Sequence, residues 1–243
     1  MRDNHVTLEE LGVRTRNDKD FVEQVVEDIT VNTTELFRDP VVWRYLYEKH
    51  LPLYRNNNVI NIWVAGCSTG QEVYSLMILL NELGLLAKTR IYATDISQKA
   101  IDVAAKGVYK NQIEKGCKDN FDQVFKNLAE NPVEFTKYFD VGLKSDEIKV
   151  KPFLKKDLIF LKHDLVKNDL PFYSKMDIIF CRNVLIYFNV NLQNRIVQRF
   201  HDNLYNQGSL ILGAHEGLSG FFKTKFNRTG PVFIRSNVFR FKY

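Results

Sequence analysis

With 243 residues, of which 45% are hydrophobic, the chain is long enough for one α/β domain with embellishments and a sizeable core. The net charge is only +5 and the lysines are scattered, which argues against a nucleic-acid-binding protein. No apolar run reaches the length of a membrane span, and the three cysteines lack metal-ligand spacing, so the sequence predicts a cytoplasmic protein with no metal and no membrane insertion.

The first 31 residues predict a short helical region. Asp18 is a plausible N-cap for an amphipathic helix whose apolar residues continue to Ile29. The next run, 31–40, is polar apart from Leu36 and Phe37. Two interpretations of this run remain open: a loop folded over a site, or a helix start capped by Asn32 or Thr33. A second helix is predicted around Val41–His50.

A strand, a glycine turn and a helix follow between residues 60 and 84. The apolar run Ile60–Ala65 has strand length, and Gly66–Gly70 then leaves the backbone uncovered. Beyond it, apolar residues recur at helical spacing: Val73, Leu76, Met77, Leu80 and Leu83. Gly84 stands where a left-handed C-cap is expected. This arrangement is typical of the first half of a doubly wound nucleotide site.

The turn differs from the dinucleotide fingerprint, because its glycines are spaced Gly66-x-x-x-Gly70 and the acidic Glu72 follows. A carboxylate at a helix start disfavours phosphate. A ligand with an amine, a sulfonium and ribose hydroxyls suits the loop better, which favours S-adenosylmethionine over NAD. An ordinary turn whose glycines serve only the backbone remains the alternative.

A second strand, Arg90–Asp95, ends on a carboxylate about 25 residues beyond Gly70. A carboxylate accepts two hydrogen bonds from a vicinal diol, so Asp95 is predicted to bind the ribose of the cofactor. The alternative is that Asp95 caps a helix over Ile96–Lys106, and both roles can coexist.

Residues 107–156 interrupt the alternation of strands and helices and predict an insertion. It contains helical patches near Asp119–Leu128 and Val133–Phe139, and a hairpin that joins Phe139–Leu143 to Glu147–Val150.

The alternation resumes with strands at 158–161, 176–181 and 209–212, with a helix over Leu192–Tyr205. A hairpin of 232–235 with 238–241 closes the chain. The predicted fold is therefore a doubly wound α/β fold with a mostly parallel sheet and a C-terminal antiparallel hairpin. Polar groups stand at the carboxyl ends of four predicted strands, where such sheets bind ligands: Gly66–Gly70, Asp95, Asp164 and Arg182-Asn183.

Four motifs, in this order along the chain, resemble the chemotaxis receptor methyltransferases of the CheR type. They are Asn-Thr-Thr-Glu-Leu-Phe-Arg-Asp-Pro at 32–40, Ala-Gly-Cys-Ser-Thr-Gly-Gln-Glu-Val-Tyr-Ser-Leu at 65–76, Ala-Thr-Asp-Ile-Ser at 93–97 and Phe-Cys-Arg-Asn-Val-Leu-Ile-Tyr-Phe at 180–188. The resemblance implies a class I S-adenosylmethionine-dependent methyltransferase fold. It also implies transfer of the methyl group to glutamate side chains on the cytoplasmic helical bundle of chemoreceptors, giving methyl esters and S-adenosyl-L-homocysteine.

The glycine loop and the resemblance together predict a set of cofactor contacts. They are Asn32, Thr34, Arg38, Gly66, Glu72, Asp95, Asp164, Leu165, Arg182 and Asn183. Arg38 is also predicted to assist catalysis electrostatically, because a carboxylate acceptor is costly to desolvate without a cation. Gly213-Ala214-His215-Glu216 departs from the family's frequent Gly-His-Ser-Glu order, so we assign His215 no catalytic role.

The predicted organisation is an N-terminal helical remnant at 1–31 and a methyltransferase domain at 32–243 with its insertion at about 107–156. The family has a longer N-terminal helical domain, so a role of that domain in receptor docking stays open here. The hairpin at 140–150 stands where the family inserts a small β-subdomain that in some members pairs with a receptor tail. A small-molecule methyltransferase and a non-catalytic signalling adaptor are the alternative functions.

Overall fold

The structure is a computed structural model that describes residues 34–110, 114–125, 133–142, 147–167 and 170–236. These residues belong to the second of the two units into which the chain divides, 34–243. The predicted helical region 1–31 and Asn32 lie outside the described residues and stay predictions. Within the described ranges, no helix combines the length and apolarity needed to cross a membrane.

Ten strands and five α-helices make up the described part of the chain. The strands are β1 Ile60–Ala65, β2 Thr89–Asp95, β3 Val108–Lys110, β4 Phe139–Val141, β5 Glu147–Val150, β6 Leu158–Lys162, β7 Met176–Cys181, β8 Leu204–Leu212, β9 Phe226–Thr229 and β10 Val232–Arg235. The helices are α1 Pro40–Tyr45, α2 Gln71–Glu82, α3 Gln98–Lys106, α4 Glu114–Phe125 and α5 Val190–Asn203.

The large sheet has the order β6-β2-β1-β7-β8-β10-β9. Strands β6, β2, β1, β7 and β8 are parallel, and β10 is antiparallel to both β8 and β9. Counting only these seven strands along the chain, the order is 3-2-1-4-5-7-6. The structure therefore confirms the class I methyltransferase fold, with a mostly parallel sheet that ends in an antiparallel pair.

The strand that pairs with β10 differs from the one that the sequence predicts. Strand β10 pairs with 226–229 on one edge and with β8 on the other, so both of its edges are occupied. Residues 238–241, the predicted partner, lie outside the described residues. The sequence Phe226–Thr229 is polar and carries no obvious strand pattern, which is why it was missed.

Alternate residues of β1 enter two different cores. Ile62 and Val64 pack in the cluster that contains α2, whereas Trp63 and Ala65 pack in the cluster that contains Phe200 of α5. A strand buried on both faces is expected to be apolar throughout, as Ile60–Ala65 nearly is. The sheet therefore has helices on both faces, which defines the doubly wound architecture.

The direction of strand order reverses between β1 and β7, which are neighbours in the sheet. Trp63 of β1 lies opposite Tyr92 of β2 on one side and Ile179 of β7 on the other. In open α/β sheets the crevice at such a reversal, beyond the carboxyl ends of the strands, binds the ligand. Here the crevice lies between the loops that follow β1 and β7.

The insertion forms a three-stranded antiparallel sheet with the order β3-β5-β4. The predicted hairpin is present, as β4 with β5, while β3 was not foreseen. The helical patch predicted near 133–139 is a 3₁₀ turn at Phe135–Lys137 that leads into β4. The Tyr109 hydroxyl of β3 donates to the Thr69 carbonyl at 2.8 Å, so the small sheet supports the glycine loop directly.

Some element bounds differ from the predicted ones, and a local hydrogen bond explains one of them. Helix α5 starts at Val190, two residues early, because the Asn189 side chain accepts a hydrogen bond from the Leu192 amide at 3.0 Å. The predicted helix at 41–50 is α1 followed by a π-helical turn at Leu46–His50 and a 3₁₀ turn to Tyr54. Strand β8 begins at Leu204 rather than at Ser209.

Candidate functional site

The glycine loop after β1 is fixed to the end of β2. The amides of Gly66 and Cys67 both donate to the Thr94 carbonyl, at 2.8 and 2.9 Å. Gly66 has φ +80°, and a Cβ at this position would lie 2.5 Å from Cγ2 of Val184, which belongs to the loop after β7. Only glycine fits this close approach, so Gly66 joins the two loops that border the crevice.

Asp95 fixes the loop from the other side. Its Oδ2 accepts from the Ser68 amide at 2.8 Å and its Oδ1 from the Ser97 amide at 3.0 Å. The amide of Ile96 also bonds this carboxylate. A carboxylate has about four acceptor positions, so acceptor capacity remains for one ligand hydroxyl. Burial raises the pKa of Asp95, and these amide bonds oppose the rise.

The helix-cap alternative for Asp95 is wrong in its detail. Helix α3 begins at Gln98, and the Ser97 side chain caps it by accepting from the Ala100 amide at 3.1 Å. Asp95 instead orders the turn that leads to this cap, and it faces the glycine loop through Ser68.

Glu72 and Arg182 form a buried ion pair. Nη1 of Arg182 donates to Oε2 of Glu72 at 2.8 Å, and the side chains are 0% and 14% exposed. Burial raises the pKa of Glu72, and the guanidinium counters part of that rise. Oε1 of Glu72 receives no hydrogen bond from any described residue, so a carboxylate oxygen remains for a cationic ligand group.

Arg182 also holds the segment at 34–39. Its Nη2 donates to Oδ2 of Asp39 at 2.8 Å and to the Arg38 carbonyl at 3.0 Å. The guanidinium lies 5.4 Å from the ring of Trp43. Arg182 therefore has three hydrogen-bond partners among the described residues, namely Glu72, Asp39 and the Arg38 carbonyl. It holds separate segments together, in addition to its predicted contact with the cofactor.

Residues 34–39 form turns, and α1 begins only at Pro40. The Phe37 side chain is fully buried, and its amide donates to Oγ of Ser75 in α2 at 2.8 Å. The described part of the polar run is therefore a loop anchored beside the helix that follows the glycine turn. Thr34 and Arg38 are half-buried in this loop.

Asp164 and Leu165 lie in a turn after the edge strand β6. Oδ1 of Asp164 accepts from the Val166 amide at 2.9 Å. Arg199 of α5 donates to the carbonyls of Leu165, Val166 and Lys167. Within the described ranges, no hydrogen bond joins Asp164 or Leu165 to Glu72, Asp95 or Arg182. The amide of the preceding His163, however, donates to the Asp95 carbonyl at 2.8 Å, so the structure places this turn directly beside Asp95.

Glu216 is a residue that the sequence interpretation missed. It follows β8, and its carboxylate accepts hydrogen bonds from the amides of four residues: Asn183, Val184, Leu185 and Gly213. The signal was present, since a carboxylate near the end of a parallel strand is the same pattern that identified Asp95. His215 beside it is exposed.

The cysteines near the crevice offer no reactive thiolate. Burial raises the pKa of the Cys67 and Cys181 thiols well above the ordinary value, so both are neutral at pH 7. No group of three or more potential metal ligands occurs in the part of the chain that the structure describes.

The site fits S-adenosylmethionine better than a phosphate-bearing cofactor. The remaining acceptor capacity of Asp95 suits a ribose hydroxyl, and the carboxylate of Glu72 suits a cationic group. The same carboxylate lies in the first turn of α2, where it repels phosphate.

Comparisons with known proteins agree with this chemistry. The chain matches the family model described as "CheR methyltransferase, SAM binding domain" over residues 32–232. It is 34% identical over 235 residues to a putative methyltransferase Cher3 of Pseudomonas putida, covering 97% of this chain and 82% of that protein. It is also 34% identical over 230 residues to chemotaxis protein methyltransferase 1 of Vibrio cholerae, covering 91% and 78%.

Solved structures show a weaker likeness. Magnesium protoporphyrin IX methyltransferase from Synechocystis PCC 6803 with bound SAM aligns with 96% of this chain and 100% of that chain. The identity is 15% and the TM-score 0.42, and a likeness at this level adds nothing about function.

Proposed function

The chain belongs to the CheR methyltransferase family and carries its S-adenosylmethionine-binding domain, and from this premise we propose that it methylates glutamate carboxylates on the cytoplasmic helical bundles of chemoreceptors. The products are glutamate methyl esters and S-adenosyl-L-homocysteine. Because those receptor regions are cytoplasmic, the proposal implies a cytoplasmic location.

The match to the family over residues 32–232 is the observation that carries this proposal. The names of the similar proteins from Vibrio cholerae and other bacteria state chemotaxis protein methylation for those proteins. The groups at the site support methyl transfer from S-adenosylmethionine, whereas the choice of glutamate as the methyl acceptor rests on the family.

The chemistry is compatible with the groups at the crevice. S-adenosylmethionine supplies a methyl group activated by a positive sulfur, so an ionised carboxylate can accept it without losing a proton. Glutamate has a reference pKa of about 4.3, so the acceptor is ionised at neutral pH and needs no general base. The neutral thiols of Cys67 and Cys181 agree with a site that removes no proton.

The residues of this chain therefore bind, orient and exclude water. Asp95 is proposed to hold the ribose, and Glu72 to lie near a cationic part of the cofactor while Arg182 keeps that carboxylate charged. Arg38 is proposed to offset the charge of the acceptor, which a dry site would otherwise destabilise. Catalysis then comes chiefly from positioning.

Labelled cofactor tests the proposal. The purified chain is incubated with methyl-labelled S-adenosylmethionine and receptor cytoplasmic fragments, and the label should be released as methanol in mild base. Fragments whose candidate glutamates are replaced by glutamine serve as the matched control and should stay unlabelled. The rate should show no rising limb near the histidine reference pKa of about 6.5.

Two results would favour the alternatives. Base-stable label on the fragments, or label on free small molecules alone, would mean a different acceptor chemistry. Normal cofactor binding with no label on any acceptor would favour a signalling adaptor.

A further inference from the structure

Glu216 is fully engaged by the backbone. Its Oε2 accepts from the amides of Asn183 at 2.7 Å and Gly213 at 2.8 Å, and its Oε1 from those of Val184 at 3.0 Å and Leu185 at 2.8 Å. A carboxylate has about four acceptor positions, and here four N–H groups use them. Glu216 therefore has no capacity left to bind a ligand itself.

The three consecutive amides belong to the turn that follows β7. Asn183 is left-handed in this turn, with φ +59°, a conformation that residues other than glycine adopt uncommonly. Such a conformation persists where surrounding contacts enforce it. The bonds to Glu216 supply that enforcement, because they fix the amides of 183, 184 and 185 on a single carboxylate.

The turn held in this way borders the cofactor loop. Cγ2 of Val184 lies 2.5 Å from the position that a Cβ on Gly66 would take, so Val184 rests against the bare face of that glycine. The side-chain Nδ2 of Asn183 lies 3.0 Å from the corresponding position on Gly213. A displacement of this turn would therefore displace both the side-chain amide of Asn183 and the Val184 side chain that rests against Gly66.

We propose that Glu216 is a positioning residue of the cofactor site, which sets the affinity for S-adenosylmethionine by holding Asn183 and Val184 against the glycine loop. The site needs a carboxylate, because a carboxamide would place an NH₂ group against two N–H donors and would lose half of the acceptor capacity. The inference rests on cofactor binding by this family and is independent of the methyl acceptor.

Calorimetric titration with S-adenosyl-L-homocysteine tests this role in four proteins: wild type, Glu216→Gln, Asn183→Ala and the double variant. We expect each single variant to bind at least tenfold more weakly than wild type. If Glu216 acts through the Asn183 turn, the double variant loses clearly less than the product of the two single losses. The control Glu48→Gln, an exposed glutamate, should bind as wild type does.

Amide hydrogen exchange gives a readout independent of ligand. Exchange at residues 183–185 should be faster in Glu216→Gln than in wild type, and exchange in β1 should be unchanged. A folded Glu216→Gln that binds within twofold of wild type would overturn the proposal, as would fully multiplicative losses in the double variant.

A second variant decides the question if Glu216→Gln does not fold. In Gly213→Ala the added methyl would lie 2.7 Å from Oε2 of Glu216 and 3.0 Å from Nδ2 of Asn183, so it disturbs the same turn while the carboxylate remains. Gly217→Ala is the control, since its methyl would meet nothing within 4 Å. We expect weaker binding only in Gly213→Ala, and equal binding in the two would refute the positioning role.

Discussion

The guanidinium of Arg182 and the carboxylate of Glu72 form a 2.8 Å ion pair between the end of β7 and the first turn of α2. The same guanidinium binds Asp39 at 2.8 Å, so one buried side chain joins both sides of the crevice to the loop before α1. The pair keeps a charged carboxylate beside the glycine turn, where an isolated buried carboxylate would be costly.

Arg182→Met should destabilise the fold by about 3–5 kcal/mol, because it leaves the Glu72 carboxylate buried without its cation. The double variant Arg182→Met with Glu72→Gln should recover part of that loss, since it removes the orphaned charge. Urea unfolding measures both. Arg90→Met, at an exposed arginine, is the control, and a free energy of unfolding for Arg182→Met within 0.5 kcal/mol of that control would contradict a structural clamp.

Asp95→Ala should weaken binding of S-adenosyl-L-homocysteine by about 1.5–3 kcal/mol, the range for hydrogen bonds to a charged group. The reason is the loss of the carboxylate that we propose to bind the ribose. Titration calorimetry provides the measurement, with Asp102→Ala on the exposed side of α3 as the control. Unchanged affinity, or tight binding of NAD by the wild type, would be incompatible with the cofactor site described here.

Arg38→Ala should lower the methyl transfer rate by roughly a hundredfold, the loss typical of one electrostatic contact to the reacting group. Its unfolding free energy should change by about 1 kcal/mol or less. The backbone carbonyl of Arg38 accepts hydrogen bonds from the Arg182 guanidinium and the Trp43 indole, and this variant keeps that carbonyl. Steady-state kinetics and urea unfolding are measured together, with Arg90→Ala as the control; equal losses in rate and stability would assign Arg38 a structural role.

His50 should make the fold sensitive to acid. Burial lowers the pKa of His50 from 6.5 to about 4, and its Nε2 has no hydrogen-bond partner in the described structure. The unfolded chain therefore binds a proton below pH 6.5 that the folded protein does not accept until about pH 4. The corresponding stability, about 3 kcal/mol, is fully present above pH 6.5 and is lost as the pH falls toward 4.

Urea unfolding at several pH values between 7.5 and 4 checks the prediction for His50. His50→Leu should flatten the dependence over this window, because an apolar side chain takes no proton. His215→Leu, at an exposed histidine, should keep the wild-type slope. The same slope in His50→Leu and wild type would assign the acid sensitivity to other groups.

Local patterns in the sequence were enough to predict the strand, the glycine turn and the helix that carry the site. The apolar run at 60–65, the two glycines and the helical spacing beyond them each depend on a few neighbouring residues, so strand, turn and helix were predicted in place. Asp95 is singled out for the same reason, since a carboxylate at the end of a predicted strand can be recognised without the rest of the fold; its contact with the ribose stays a prediction. The family motifs added the cofactor, and the match over residues 32–232 confirmed that family.

Partners distant in the sequence were decided only by the tertiary structure. Arg182 lies 110 residues from Glu72 and 143 from Asp39, and Glu216 lies 33 residues from Asn183. None of these three spacings reflects a period of helix or strand, so no local rule connects these residues. The parallel sheet brings the carboxyl ends of β1, β7 and β8 to one edge. Only this arrangement lets Arg182 bind both Glu72 and Asp39, and lets Glu216 accept from the amides of the turn after β7.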